Sequence, residues 1–219
     1  MLNYPPGVNR VIRKVVWYAF LIGAAVEFSL ASAGYHAVAL TGWLDFAFCT
    51  LAAAVILSEA AAHVGWRMAA LAGVIVVTVS GAVAWLGAPR AGLCYTPAFG
   101  PLLANRLPLV LPLLWWALAG GWYLVWHRAL PVFDARVVAL LVAGALLLTD
   151  WLLEPFAARR YYWTWAQGAA PGLNYLGWLA LAFILARVVP LRGDSKPDNL
   201  YRPLTVTLAL AALFLTARF

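Results

Sequence analysis

A chain of 219 residues that is 65% hydrophobic and only 11% charged, with a mean hydropathy of +0.87, excludes an ordinary soluble domain and indicates a membrane protein. Its net charge of +7 does not require nucleic acid, because basic loops are what orient membrane proteins. Cys49 and Cys94 show neither metal-ligand spacing nor a disulfide framework, so no metal and no cofactor is implied.

Seven apolar stretches follow one another: Val15–Gly34, Trp43–Ala62, Met68–Gly87, Leu107–Trp126, Val137–Phe156, Leu173–Val189 and Pro203–Ala217. Each approaches the ~20 residues needed to cross hydrocarbon. The first lacks a suitably placed small-residue cleavage site and reads as a retained helix. The expected fold is therefore an all-α polytopic membrane protein, a bundle of about seven transmembrane helices in a single domain over residues 1–219. If the spans alternate, Arg10, Arg13, Lys14, Arg67, Arg128, Arg136, Arg187, Arg192, Lys196 and Arg202 share one side, and Arg90, Arg106, Arg159, Arg160 and Arg218 the other. The excess of basic residues on the first side predicts a multi-pass inner-membrane protein with its N-terminus cytoplasmic and its C-terminus extracytoplasmic.

The fifth stretch holds the most informative residues. Asp150 and Glu154 lie within an otherwise apolar run, where a carboxylate costs at least ~2.5–3.5 kcal/mol and usually faces a protein interior or a wet cavity. Their i, i+4 spacing puts both on one helix face. Pro155 follows at once and predicts that the helix bends or ends there. A structural role for the pair, with Glu154 at the headgroup level and Asp150 bonded to a neighbouring helix, is the plainer alternative. Glu27 and Ser80 lie twelve residues into the first and third spans, and Asp150 thirteen into the fifth. At 1.5 Å per residue all three are roughly 18–20 Å deep, a shared layer. A lone serine there is expected to bond to its own helix backbone. Two long loops, Ala88–Arg106 and Ala157–Gly172, fall on one side of the membrane and are rich in Gly, Pro and aromatic residues. They are expected either to anchor at the interface or to cap a cavity.

These loops carry a resemblance. The run Tyr95-Thr96, Gly100-Pro101, Leu107-Pro108 and Leu111-Pro112-Leu113 is followed by Asp150-x-x-x-Glu154-Pro155, Trp163-x-Trp165 and Asn174-x-x-Gly177-Trp178. In order and spacing this resembles a bacterial and archaeal family of integral-membrane carotenoid-biosynthesis proteins, whose characterised members are carotenoid 1',2'-hydratases. The resemblance covers about Gly87 to Trp178. The chain is a divergent member of that pattern. Ser80 stands near where the family has a glutamate, Glu154 replaces an aspartate, and Pro89 to Tyr95 keeps only the proline and last tyrosine of a P-F-G-x-Y-x-Y segment.

The resemblance implies a lyase-type hydratase adding water to the terminal isoprenoid double bond of a linear carotene. The residues suit that chemistry. Protonation of a trisubstituted alkene needs an acid that is still protonated at neutral pH, a state favoured by burial and by a second carboxylate. Asp150 and Glu154 are the expected catalytic acids, with Glu27 held in reserve at the same depth. Tyr95, Trp163, Trp165, Asn174 and Trp178 are the expected substrate-binding residues. The tryptophans offer π faces to a carbocation, worth ~0.5–2 kcal/mol each, and Asn174 orients water. An interfacial belt is the competing role for the tryptophans. Arg159 and Arg160 are read as neutralising headgroups or loop carboxylates. The partners are a hydrophobic isoprenoid or carotenoid and membrane lipids, with no nucleic acid. Two further readings stand beside this one. The first is a non-catalytic binder or transporter of a lipid-like isoprenoid. The second, and weaker, is haem binding through His36, His63 or His127.

Overall fold

A computed structural model describes residues 6–33, 39–189, 191 and 200–216. His36, Arg192, Lys196 and Arg218 lie outside the described residues. Seven α-helices are present among them: α1 (Pro6–Ser32), α2 (Ala39–Val64), α3 (Trp66–Ala91), α4 (Val110–Ala129), α5 (Ala135–Arg159), α6 (Gly172–Val188) and α7 (Tyr201–Leu215). The all-helical bundle expected from the seven apolar stretches is what forms. Four of the helices, α1, α2, α3 and α5, are long and apolar enough to cross a membrane; α6 and α7 are shorter.

Helix α4 is the hub, packing against α2, α3, α5 and α7. Its sequence is apolar all round, as a helix enclosed by others must be, and most of its side chains are buried. Gly120 and Gly121 allow that enclosure. A Cβ on Gly120 would approach Ile56 Cγ2 to 2.9 Å, and one on Gly121 would approach Thr207 Cγ2 to 2.6 Å. Small residues at such crossings let backbones close on one another where lipid supplies no hydrophobic driving force. The Trp116 indole donates to the Ala53 carbonyl at 3.1 Å and ties α4 to α2.

Several boundaries depart from the sequence reading. Helix α3 runs past Gly87 and through Pro89 to Ala91, ending at Gly92 in the left-handed region (φ 71°). Glycine adopts that conformation without steric cost, so it is the usual helix terminator. Helix α4 begins at Val110 rather than Leu107, because Leu107–Pro108 pairs with Leu102–Leu103 in a small antiparallel ladder, β2 with β3. Helix α5 starts at Ala135, capped by Asp134, whose carboxylate accepts from the Arg136 N–H at 2.6 Å. It does not end at Pro155 but continues to Arg159.

The two long loops meet. Strand β1 (Leu93–Tyr95) pairs antiparallel with β4 (Trp163–Trp165), placing Leu93 opposite Trp165 and Tyr95 opposite Trp163. Thr96 adds stitches. Its N–H donates to the Tyr162 carbonyl at 2.9 Å, its hydroxyl donates to the Tyr161 carbonyl, and the same hydroxyl caps a 3-10 helix over Pro97–Phe99. A Cβ on Gly42 would come within 2.4 Å of the Ala98 carbonyl oxygen, so that helix rests directly on α2. The strand ladder closes the end of the bundle where α3 and α5 finish and α4 and α6 begin.

Candidate active site: an acid pair in an aromatic cavity

Under the β1–β4 ladder lies a small cavity of about 30 Å³, room for roughly two waters at ~10–15 Å³ each. Its walls are the first half of α4 (Leu111, Leu114, Trp115, Leu118) and the second half of α5 (Leu146, Leu153), completed by the ladder and the start of α6. Asp150, Glu154, Tyr95, Trp163, Trp165, Asn174 and Trp178 all line it. Seven of the eight residues expected at the site are therefore brought together by elements distant in sequence. The i, i+4 spacing of the acids directs both into one space.

The two acids are held differently. Both indole N–H groups of the β4 tryptophans reach one oxygen of Glu154: Trp163 Nε1 to Oε2 at 3.2 Å and Trp165 Nε1 to Oε2 at 3.0 Å. Asp150, one turn deeper, has its Oδ2 buried with no hydrogen-bond partner among the described residues. Buried polar atoms are almost always satisfied, so this oxygen is available to a water or a ligand. Neither acid forms a salt bridge among the described residues. The remaining walls are aromatic. Trp178 stacks on Trp115 at 4.4 Å between ring centroids, and Tyr95 meets Trp163 edge-on at 6.1 Å. Burial first, then the charges of Asp150 and Glu154, push the Tyr95 phenol upward, so it remains a neutral donor.

Glu27 is not brought to this cavity. It sits in a second buried cluster that sequence reading missed. Arg160 Nη1 lies 2.6 Å from Asp45 Oδ1 and 3.4 Å from Glu27 Oε2, and the Tyr162 hydroxyl donates to Asp45 Oδ2. All four side chains are buried, and the Arg160 guanidinium also covers the Phe156 ring at 4.6 Å. Burial opposes the Arg160 charge, but Tyr162 and Asp45 more than offset it and raise its basicity; burial and Asp45 likewise hold the Tyr162 proton on. Arg160 is thus a buried partner of carboxylates rather than a headgroup contact. The signal for this cluster was present in the sequence. Asp45 is an acid inside an apolar span, the same argument that singled out Asp150. Glu59, buried between Arg13 and Arg202, is a further instance. Ser80 joins neither cluster, and its hydroxyl turns back to the Val77 carbonyl at 3.5 Å. His63 and His127 are neighbours, with ring centroids 5.5 Å apart, well away from the acid cavity. Among the described residues no group of three or more metal-binding side chains gathers.

Fold and site together define a helical membrane protein with an acid-bearing, aromatic cavity at one end of its bundle. The carotenoid biosynthesis protein family matches residues 42–219, and the chain belongs to that family. It therefore has a role in carotenoid biosynthesis. No curated protein and no solved structure matches the chain.

Proposed function

We propose that the protein is a hydratase that adds water across the terminal trisubstituted double bond of a linear carotene or related isoprenoid. The observation that carries this reading is the pair Asp150 and Glu154, unaccompanied by any cation among the described residues, in a cavity otherwise lined by apolar and aromatic side chains. Asp150, whose Oδ2 has no donor to hold it, delivers a proton to the less substituted alkene carbon. The π electrons form the new C–H bond and leave a tertiary cation on the adjacent carbon. Trp163, Trp165, Trp178 and Tyr95 surround that carbon with π faces. Glu154, fixed by two indole N–H bonds, and Asn174 hold the water. Its oxygen bonds to the cation as its proton passes to Glu154, and transfer of that proton to Asp150 restores the starting state. The sum is alkene plus water to tertiary alcohol, with no redox change.

In the membrane, we place the N-terminus in the cytoplasm and the ladder-capped cavity in the extracytoplasmic half of the inner membrane. The basic asymmetry supports this orientation. It survives the removal of Arg13, Arg160 and Arg202, which are engaged in internal ion pairs. Reporter fusions at Arg67, Arg106, Arg128 and Arg160 should alternate between sides. The function is tested by expression in a host that makes linear carotenes, followed by mass analysis for one added water. Retention of carotenoid without any hydrated product would replace the enzyme with an isoprenoid-binding protein.

A further inference from the structure

The acid cavity has no room for a whole long-chain isoprenoid, and its boundaries show where the rest of the chain goes. The β1–β4 ladder closes its end, and buried residues of α4 and α5 close its floor. The remaining side is formed by Leu93, Tyr95, Asn174 and Trp178. These four also line a cleft of about 430 Å³ between α3 and α6. One layer of side chains therefore separates cavity from cleft. Helix α6 packs mainly on α5 and only sparingly on α3, which leaves the cleft open. Its helical walls include Ala84, Gly87, Ala88 and Ala91 of α3 and Gly177 of α6. A Cβ on Gly87 or Gly177 would meet nothing within 4 Å. Of its lining, Val83 of α3 and Leu173 of α6 are exposed, while the polar side chains Arg90 and Gln167 stand at its loop end. An exposed apolar rim on a membrane helix faces hydrocarbon, so the cleft opens sideways into the bilayer rather than into water.

We propose that the α3–α6 cleft is a lateral entrance in which a linear isoprenoid lies lengthwise, its terminal double bond beside Asp150 and its remaining polyene chain running out among the lipids. This rests on the reading that the acid cavity receives an isoprenoid end. The substrate never crosses water, where its apolar surface would be strongly disfavoured. Tyr95, Asn174 and Trp178 stand at the junction and select an acyclic chain end over a ring.

The full-length protein in lipid nanodiscs tests this in two ways. Gly87→Trp and Gly177→Trp fill the cleft from positions with free space. Both should lose hydration of an acyclic forty-carbon polyene by about a hundredfold, the scale expected when a substrate is misplaced by an ångström or more, and keep hydration of 2-methylbut-2-ene, the bare chain end, which needs none of the cleft. Retained short-chain activity also certifies folding. Separately, Gly177→Cys in a Cys94→Ser background gives a thiol in the cleft, because Cys49 is buried. The forty-carbon polyene should slow its alkylation by a membrane-permeant maleimide. If alkylation is equally fast with and without polyene, or the tryptophan variants hydrate the long chain at the wild-type rate, the entrance is wrong and the hydratase stands. If polyene protects the thiol while wild-type protein adds no water to either substrate, the entrance stands and the hydratase reading falls.

Discussion

Two of the clusters in which the protein buries carboxylates share the loop after α5, and they are built on opposite principles. Around Arg160, every acid meets a cation: Asp45 at 2.6 Å and Glu27 at 3.4 Å, with Tyr162 closing the set. Around Asp150 and Glu154, no cation lines the cavity among the described residues, and Glu154 accepts instead from two neutral indole N–H donors. A buried ion pair roughly balances desolvation against attraction, so it holds elements in one arrangement without supplying reactivity. The Arg160 cluster joins α1 and α2 to the end of α5, just before the strand that carries Trp163 and Trp165. The Asp150 cluster joins α5 to β4 through neutral indole donors on Glu154 rather than through an ion pair. A structural acid is recognised by its counter-charge, and a chemical one by the lack of it.

The strongest way to break this comparison is to exchange the two outcomes. Asp150→Asn keeps the side chain's shape but cannot deliver a proton as an acid. Water addition should fall ~10²–10⁴-fold, the usual loss for a general acid, with thermal stability unchanged. Full activity in this variant, measured as hydrated carotene by mass, would move the acid elsewhere. Glu154→Gln, which still presents an oxygen to both indoles, should lose less.

The converse test is Arg160→Met. Removing one partner of a buried pair leaves Asp45 and Glu27 uncompensated and typically costs ~3–5 kcal/mol. A large drop in melting temperature or in folded yield is expected, whereas Asp150→Leu should leave the melting temperature at or above wild type. Equal stability of Arg160→Met and wild type would show that the cluster is not structural.

Smaller effects sharpen the boundary between the clusters. Trp163→Phe retains a π face and removes one indole donor from Glu154. One ordinary hydrogen bond to a charged group contributes about 1.5–3 kcal/mol, so a fall in rate of about ten- to a hundredfold with little change in stability is expected from kinetics on the purified protein. Ser80→Ala should be nearly silent in both assays, because among the described residues that hydroxyl bonds to the Val77 carbonyl of its own helix. A clear loss of activity there would revive the idea that Glu27, Ser80 and Asp150 act as one layer.

The amino-acid sequence by itself determined the class of protein and the existence of seven helices, and it singled out Asp150 and Glu154 as acids within an apolar span. Helical membrane segments are specified by local composition, and an intramembrane acid stands out because hydrocarbon penalises it wherever the chain goes. It also indicated that the two aromatic loops belong together, through their order and shared side. What it could not specify was pairing. The β1–β4 ladder aligns Tyr95 with Trp163 across nearly seventy residues of chain, and strands this short carry no periodic signal. Equal depth put Glu27 in one layer with Asp150, but depth along a helix says nothing about which way around the axis a side chain points. Only helix packing sent Glu27 to Arg160 and left Asp150 with Glu154 in the cavity. Likewise Arg160 read as a surface cation until the turn at Tyr161, a non-glycine residue at φ 56°, folded it inward. Local chemistry decided which residues are costly to bury, and tertiary structure decided which of those costs is offset by a partner and which is left for a substrate.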